Sequence, residues 1–523
     1  MLVGAGGFAS TAGLVSAAAP RDTLVIGVST DPRTLSPLSA STFVYWVSGY
    51  RLYSSLFQSD ENFKAAPELA ESWKVSPDQL TWTFRLKRAT FHDGNPVTAE
   101  DVAFSVKEIS LVHLSVCKRG LGSVIKGIET PDARTVVFRL SQPYPEMLNP
   151  FDGLGPLCSA TVQKKLYAGT DLFTNPYNSK PIGSGPFKFV EWKKGSHVTL
   201  ERNEKFYDRA PAIKRIVLRI LPDPQARALA FEKGEVDWIP FDTPATEVAR
   251  LSRLPGNRVF FHGSPCGTVD ALGFNTRKEL FANRIVRKAL TAAINSEKIV
   301  RLAYFGGAQT VTGHVARTQF TGDWHNPKAK QMEYAPQRAG RMLDEAGYPV
   351  KGDGWRFQIT LKHAAAYAQH IKEAELIKDD LKRVNVDLKI VTLDDAAWQD
   401  HVFKNWDFDT AILPFCTGPT PPSLKRYHSA NIQRVPWTNA PGFSNAEYDR
   451  LFDSMMTETN REKRLRQIYR MQEILAEEQP SAFVVAPQSA TSVKVGLFTE
   501  EPKNVWTLGY LWMHLNRIRP VQR

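Results

Sequence analysis

The chain has 523 residues, of which 42% are hydrophobic and 23% are charged, and this balance excludes a disordered polymer. A single hydrophobic core stops growing near ~250 to 300 residues, so this length predicts at least two cores. The formal net charge of +12 raises the hypothesis of a nucleic-acid partner. The lysines and arginines are scattered and no nucleic-acid-reading motif is present, so we expect no such partner.

The start of the chain resembles part of an export signal. Residues 1–20 carry no charge and end in small side chains of the kind that precede a signal-peptidase site. The basic beginning of such a signal is missing, since the first basic residue is Arg21. We therefore expect residues 1–20 to be a truncated signal-peptide remnant and the mature protein to be exported.

A short apolar strand is predicted over residues 23–28, and a loop follows it over 31–37. Tyr45 and Trp46 then open an aromatic cluster. Two interpretations of this cluster stay open, because aromatic side chains can pack under a helix or line a ligand cleft.

A strand, a turn and a capped helix are predicted in strict order between residues 80 and 104. Apolar and polar side chains alternate over 80–86, as in a half-buried strand. Turn-forming residues come next, and we expect Asp93 to staple this turn without acting as an acid/base partner of His92. Thr98 then suits the N-cap of a helix with two acids in its first turn.

This stretch closely resembles the signature of the periplasmic solute-binding proteins of ABC importers, in the peptide-, opine- and nickel-binding family (family 5). Thr-Trp-Thr-Phe, Phe-His-Asp-Gly and Thr-Ala-Glu-Asp-Val occur in the family's order between residues 81 and 102. The resemblance extends over residues 23–515. It implies an α/β, two-lobed periplasmic-binding-protein fold of type II, with an extra inserted lobe and a ligand cleft between the lobes.

With this resemblance, the chain divides into three structural parts after the leader. We expect lobe I to be formed by residues 21–60, 181–275 and 476–523, an inserted sub-lobe by 61–180, and lobe II by 276–475. A strand at 134–140 is expected to pair with the one at 80–87.

Two passages of the chain are expected to serve the movement between lobes. Two glycines and two prolines within Pro181–Phe187 suit a crossing that needs unusual dihedral angles. The resemblance implies a hinge at Phe274 and Asn275, where the asparagine is expected to satisfy backbone groups. A helix is expected to follow from about residue 283 to residue 304.

Hydrophobic periodicity in lobe II predicts a strand at 355–361, a helix at 374–384 and strands at 386–390 and 408–414. This order indicates a parallel sheet with helical cover. Open sheets of this kind place ligands at the carboxyl ends of their strands. The candidate ligand contacts are Tyr45, Trp46, Cys266, His363, Tyr367, Phe415, Cys416, Thr417, Gly418, Arg426, Tyr427, Trp506 and Tyr510.

The chemistry of the ligand is inferred from the segment after the strand at 408–414. The resemblance implies that peptide-binding members carry an aspartate there, which pairs with the ligand's ammonium, but residues 415–428 contain no acid. Burying an unpaired charge costs several kcal/mol. We therefore expect a peptide-like solute, an opine or a sugar acid without an exposed ammonium at that end. An acidic group on this solute would make Arg426 a contact. The alternative, that Arg426 points to solvent, stays open.

The resemblance implies a small-molecule carrier that delivers its cargo to an ABC permease, with no catalysis, no cofactor, no metal site and a monomeric state. One alternative is a metal-chelate or haem carrier that uses His363, His401 or His428. Another is a hydrolase, for which Cys416 and His428 are the only nucleophile and base that we can suggest. Cys117 and Cys158 can pair in an oxidising compartment, but the sequence leaves this pairing open.

Overall fold

The computed structural model describes residues 22–37, 51–60, 64–149, 153–241, 243–263, 267–318, 321–416 and 420–495. The strands are β1 (Thr23–Val28), β2 (Phe57–Ser59), β3 (Ala65–Pro67), β4 (Ala70–Val75), β5 (Thr81–Leu86), β6 (Ile125–Asp132), β7 (Thr135–Leu140), β8 (Phe187–Lys193), β9 (His197–Arg202), β10 (Arg215–Ile220), β11 (Trp238–Ile239), β12 (Asn257–Gly263), β13 (Thr268–Phe274), β14 (Ala308–Thr310), β15 (Phe357–Ala364), β16 (Val386–Leu393), β17 (Thr410–Cys416) and β18 (Ser481–Lys494).

The α-helices are mostly short, and the longest covers the second half of the molecule. Their bounds are Ala99–Phe104, Leu111–His113, Ser115–Arg119, Lys164–Tyr167, Pro224–Glu232, Val248–Leu251, Glu279–Ala282, Arg284–Ala293, Ser296–Leu302, Pro336–Glu345, Ala368–Lys382, Asp395–Gln399, Ala446–Thr457 and Arg461–Glu478. Among the described residues, none of these helices is both long and apolar enough to cross a membrane.

One mixed sheet of 12 strands runs through most of the molecule, in the main order β16-β15-β17-β13-β18-β11-β1-β10-β9-β8. Strand β18 joins its two halves. Its first part pairs with β13 and β14, and its second part pairs with β12 and β11. The predicted parallel arrangement of β15 and β16 is confirmed, and β17 is parallel to β15 as well.

A separate four-stranded sheet, in the order β4-β5-β7-β6, lies in the early part of the chain. The alternation predicted for β5 is confirmed, since its residues are buried at every second position, and β5 pairs with β7 as expected. Cys117 and Cys158 form a disulfide beside this sheet, which settles the question that the sequence left open. Both cysteines are fully buried in the apolar cluster that covers the sheet.

The predicted cap and turn between β5 and the next helix are confirmed. The Thr98 side chain accepts a hydrogen bond from the Asp101 amide, while the Asp101 carboxylate accepts one from the Thr98 amide, so both form a capping box. Asp93 accepts a hydrogen bond from the Asn95 amide at 3.1 Å and staples the turn. His92 contacts backbone on both ring nitrogens, because Nε2 lies 3.0 Å from the Gly185 oxygen and Nδ1 accepts from the Gly183 amide.

The structural reason for glycine at two positions of the 181–187 segment differs from the predicted one. Neither Gly183 nor Gly185 has a positive φ, so unusual dihedral angles are not required. A Cβ on Gly183 would lie 1.7 Å from the Leu52 carbonyl oxygen, and one on Gly185 would lie 2.3 Å from the Arg51 carbonyl oxygen. The two glycines therefore permit a close backbone approach.

The long helix expected over 283–304 is two helices, Arg284–Ala293 and Ser296–Leu302. The apolar spacing continues across the break, but Asn295 interrupts it with a new cap. Its side chain accepts from the Lys298 amide, and its own amide donates to the buried Asp380 carboxylate at 3.0 Å. The strand expected from Trp355 likewise begins later, at Phe357.

Candidate functional site

The end of β17 presents an arginine against an aromatic ring. The guanidinium carbon of Arg426 lies 4.6 Å from the centre of the Phe415 ring. Arg426 Nη1 donates to the Trp437 carbonyl oxygen at 3.1 Å, whereas Nε has no hydrogen-bond partner among the described residues. No acidic side chain of the described chain forms an ion pair with Arg426. The half-buried cation therefore has spare capacity to bind an anion.

The electrostatics of Arg426 support this interpretation. Burial lowers the pKa of its guanidinium to about 10, and the positive charge of Arg119 acts in the same direction. Arg119 belongs to the helix Ser115–Arg119, in the early part of the chain, and its side chain is exposed. The charge of Arg119 thus affects Arg426 although the two residues are far apart in the sequence. Arg426 stays charged at neutral pH.

An aromatic cluster surrounds this arginine. Tyr427 is fully buried, meets Phe415 edge to face at 5.8 Å and donates its hydroxyl to Ser481 at 3.2 Å. His314 lies 5.0 Å from the Tyr427 ring, and neither of its ring nitrogens has a hydrogen-bond partner among the described residues. Burial lowers the pKa of His314 to about 3, so its ring is neutral.

Cys416 is disulfide-bonded, and no described cysteine is a free thiol. A thiolate is the nucleophile in cysteine catalysis, so a bonded sulfur cannot serve the suggested hydrolase. The side chain is also half-buried, not buried as a small core residue would be. Its suggested base, His428, instead accepts from the Ala430 amide and lies 3.3 Å from Asp453.

A second group of polar residues lies where β15 ends and the helix Ala368–Lys382 begins. His363 is fully buried, and its Nε2 is 2.9 Å from the Thr392 hydroxyl. Burial lowers the pKa of His363. Tyr367, directly before the helix, stacks on His370 with ring centres 4.8 Å apart. The sequence predicted His363 and Tyr367 but missed His370.

His370 leads to a buried polar cluster, which we call the carboxylate cluster: Asp270, Tyr304, His370 and Glu373. The Tyr304 hydroxyl oxygen is 2.6 Å from Asp270 Oδ2 and 2.9 Å from Glu373 Oε2. His370 Nε2 lies 3.5 Å from Asp270 Oδ1. Burial and the charge of Asp270 raise the pKa of Glu373 well above its ordinary value, and burial with both acids raises the pKa of Tyr304.

The residues around Arg426 and the carboxylate cluster lie on opposite faces of the sheet. In the β13–β17 pair, Val269 is opposite Phe415 and Asp270 is opposite Pro414. Because successive side chains of a strand alternate between faces, Phe415 and Asp270 point to different sides. The predicted contacts thus divide into an arginine site around Phe415 and Arg426, and a carboxylate side with His363 and Tyr367. A cavity of about 440 Å³ beside β8, β9 and β10 is lined by residues that belong neither to the arginine site nor to the carboxylate cluster.

Several predicted positions remain predictions. The structure does not describe Tyr45, Trp46, Cys266, Thr417, Gly418, Trp506 and Tyr510. Phe274 ends β13, and Asn275, the next residue, donates to the carbonyl oxygens of Trp406 and Phe408 at 2.9 and 3.0 Å. This confirms the backbone-satisfying role predicted for the asparagine, while the hinge role stays a prediction.

The histidines of the metal-carrier alternative do not form one centre. His363 contacts Thr392, His401 lies 2.7 Å from Asp407, and His428 lies near Asp449 and Asp453. Among the described residues, the one group with metal-ligand geometry is Asp270, His370 and Glu373. Two signals in the sequence point to it: an aspartate inside the apolar strand 269–274, and a His-x-x-Glu spacing on one face of a helix.

A buried ion pair connects the early part of the chain to the last long helix. Arg464 Nη2 lies 2.5 Å from Glu146 Oε1, and the two side chains are only 14% and 5% exposed. Beside this pair, Met456 packs against the apolar cluster of the four-stranded sheet. Parts of the molecule that are more than 300 residues apart in sequence therefore meet here.

Comparison with known proteins agrees with this architecture. The family model "Bacterial extracellular solute-binding proteins, family 5 Middle" matches residues 64–432. The oligopeptide-binding protein AppA of Bacillus subtilis is 27% identical over 89% of this chain and 86% of its own. The probable D,D-dipeptide-binding periplasmic protein DdpA of Escherichia coli is 26% identical over 88% of each chain.

A solved structure extends the comparison to the whole fold. AgaA from A. tumefaciens R10, in complex with agropinic acid, superposes with a TM-score of 0.71 at 25% identity, over 95% of this chain and 99% of its own. The α/β, two-lobed solute-binding fold expected from the sequence is thereby confirmed.

Proposed function

Because the chain belongs to family 5 of the bacterial extracellular solute-binding proteins, we propose that it captures an anionic organic solute outside the cytoplasm and delivers it unchanged to an ABC-transporter permease. Proteins of this family are substrate-binding components of transport systems, and relatives include periplasmic peptide-binding proteins. An exported, monomeric protein without nucleic-acid or catalytic activity fits this proposal. The expected division into lobe I, inserted sub-lobe and lobe II belongs to it as well.

Arg426 carries the proposal of an anionic cargo. It is half-buried, lies over Phe415, has an unpartnered Nε among the described residues and forms no ion pair there. A carboxylate can accept two parallel hydrogen bonds from a guanidinium, which gives affinity and orientation together. The relative AgaA, solved with agropinic acid, supports an acidic opine as one class of cargo. A peptide-like acid or a sugar acid satisfies the same chemistry.

The mechanism rests on differential affinity. A solute held by Arg426 on one side of a cleft and by the early part of the chain on the other binds the closed form more tightly than the open form. Its binding therefore shifts the population toward closure. Arg119, whose charge acts on Arg426, is suited to provide the second contact.

The first test identifies the cargo. Native mass spectrometry of protein purified from its own source, followed by gentle denaturation, releases any bound small molecule. We expect a molecule with a carboxylate or another anionic group. A released solute that is cationic, or a peptide whose free ammonium is required for binding, would contradict the proposal.

The second test uses defined probes, an N-acetylated dipeptide and its C-terminal amide, in isothermal titration calorimetry. We expect the acid to bind at least tenfold more tightly than the amide, because only the acid pairs with Arg426. Arg426→Met should reduce this ratio to below threefold. Lys425→Met is the matched control, since Lys425 is the exposed cation next in sequence, and it should preserve the ratio. An unchanged ratio in Arg426→Met would remove Arg426 from the site.

A further inference from the structure

The carboxylate cluster brings three metal-binding side chains together in the interior of the second half. Asp270, His370 and Glu373 are 2%, 3% and 0% exposed. One ligand atom of each residue lies within 4.8 Å of those of the other two. The three residues come from β13 and from one face of the helix Ala368–Lys382, so packed elements hold them in place.

The hydrogen bonds of the cluster do not satisfy its acids. A phenol carries one hydrogen, so Tyr304 can donate to Asp270 or to Glu373 but not to both. Asp270 Oδ1, Glu373 Oε1 and His370 Nδ1 have no hydrogen-bond partner among the described residues. Buried polar atoms are normally paired, and two adjacent buried carboxylates normally share a proton or bind a cation.

No basic side chain provides this cation in the described part of the chain. The one ion pair of Asp270 there is with His370, and Glu373 has none with a lysine or arginine. The nearby Lys298 is already paired with Asp380 at 2.8 Å. The cluster therefore has two acids, a neutral donor and one imidazole, which together can neutralise a divalent ion.

We propose that Asp270, His370 and Glu373 bind a divalent transition-metal ion, with Zn²⁺ the best match, on the opposite face of the sheet from Arg426. One imidazole nitrogen with two carboxylate oxygens is a donor set that Zn²⁺ accepts, at bond lengths of ~2.0 to 2.2 Å. Ligand atoms at these bond lengths in a tetrahedron are about 3.4 Å apart, and His370 Nε2 and Asp270 Oδ1 are 3.5 Å apart. Tyr304 or a water completes four-coordination.

The site acts as a structural clamp. Asp270 belongs to β13, and Tyr304 follows the helix Ser296–Leu302. With the helix Ala368–Lys382, three elements of the second half meet at the ion. This proposal does not depend on the anionic cargo, because Arg426 lies on the other face of the sheet.

The test titrates the full-length protein with ZnCl₂ after removal of metals by a chelator and dialysis. Calorimetry should report one zinc per chain, and cobalt substitution should give the visible spectrum of a four-coordinate centre. His370→Gln should weaken zinc binding at least tenfold. His262→Gln is the matched control, because His262 is 3% exposed, hydrogen-bonded to Thr491 and outside the cluster. It should bind zinc within twofold of wild type.

Glu373→Gln guards against misfolding, since the amide retains the shape and can still accept from Tyr304. It should keep the native circular dichroism spectrum and lose zinc affinity at least tenfold. Arg426→Met should bind zinc normally, so a failed cargo proposal leaves this result intact. A folded wild-type protein without stoichiometric zinc, or wild-type zinc affinity in both His370→Gln and Glu373→Gln, would overturn the proposal.

Discussion

Individual histidines make the free energy of unfolding of this protein sensitive to acid. His262 and His314 are buried and His92 is half-buried, and the loss of hydration lowers the pKa of His92 and of His262 to about 4 and that of His314 to about 3. The unfolded chain binds protons at these histidines near pH 6.5, whereas the folded protein does not. Each one therefore stabilises the fold fully above pH ~6.5, and this contribution is lost as the pH falls toward the folded-state pKa.

His314→Phe should reduce the sensitivity of stability to acid. Phenylalanine fits among Phe415, Tyr427 and Phe483, and the ring nitrogens of His314 have no described hydrogen bond to lose. Between pH 7.5 and pH 5, the free energy of unfolding of the variant should fall by about 2 kcal/mol less than that of wild type. Urea unfolding at both pH values measures this difference.

The control for this prediction is His113→Phe. His113 is half-buried and lies at the end of a short helix, and the same measurement on this variant shows how much the exchange of a histidine for phenylalanine outside the aromatic cluster changes the acid sensitivity. Identical acid sensitivity in His314→Phe and wild type would show that His314 does not remain neutral in the fold.

At the scale of elements, the early sheet depends on a covalent link. The disulfide joins Cys117, in the helix Ser115–Arg119, to Cys158, in the loop 41 residues later. Both lie in the cluster that covers β4, β5 and β7. Closing such a loop removes conformational entropy mainly from the unfolded chain.

The double variant Cys117→Ala, Cys158→Ala should lower the free energy of unfolding by about 2 to 4 kcal/mol. Hydrogen exchange should localise the loss of protection to β4–β7. Exchange in β15–β17 provides the internal reference, since these strands belong to the other sheet and should keep their protection. A variant as stable as wild type would mean that packing alone holds this region.

At the scale of the whole molecule, the Glu146–Arg464 pair holds distant parts of the chain together. Breaking one side of a buried pair leaves the other charge without its partner, which is strongly unfavourable. The pair forms where the early part of the chain meets the helix Arg461–Glu478, so we expect it to stabilise the proposed closed form.

Glu146→Gln should favour the open form and increase the radius of gyration of the cargo-free protein in small-angle X-ray scattering. It should also weaken binding of the N-acetylated dipeptide about three- to tenfold, since more free energy is then spent on closure. Arg461→Met is the control, because Arg461 begins the same helix and pairs with Asp323, and both of these side chains are at least 75% exposed. Unchanged scattering and affinity in Glu146→Gln would assign the pair to local packing only.

Local patterns predicted much of this fold. The N-cap at Thr98, the strand β1 and the alternating strand β5 follow from residue type and spacing. The break at Asn295 was missed because its cause is a hydrogen bond to Asp380, 85 positions away. The role of Gly183 was misjudged for the same reason, since the backbone that it approaches lies at Leu52.

The site was predictable only in part. The absence of an acid after β17 indicated an anionic solute and so Arg426 as its contact. This step was possible because the charges of a segment can be read directly from its sequence. For the carboxylate cluster, the aspartate in an apolar strand and the His-x-x-Glu spacing indicate single members, but neither pattern shows that Asp270, Tyr304 and Glu373 meet across three elements. The same limit applies to His314, which becomes part of the aromatic cluster only through tertiary packing.

The 14-residue strand β18 has a consequence for biogenesis. It supplies hydrogen bonds to β11 and β12 on one side of the molecule and to β13 and β14 on the other. A ribosome must therefore synthesise the chain as far as residue 494 before both halves of the sheet acquire this strand. Truncated or stalled products would display naked strand edges, which invite aggregation. Folding of both halves of the sheet therefore depends on the synthesis of β18.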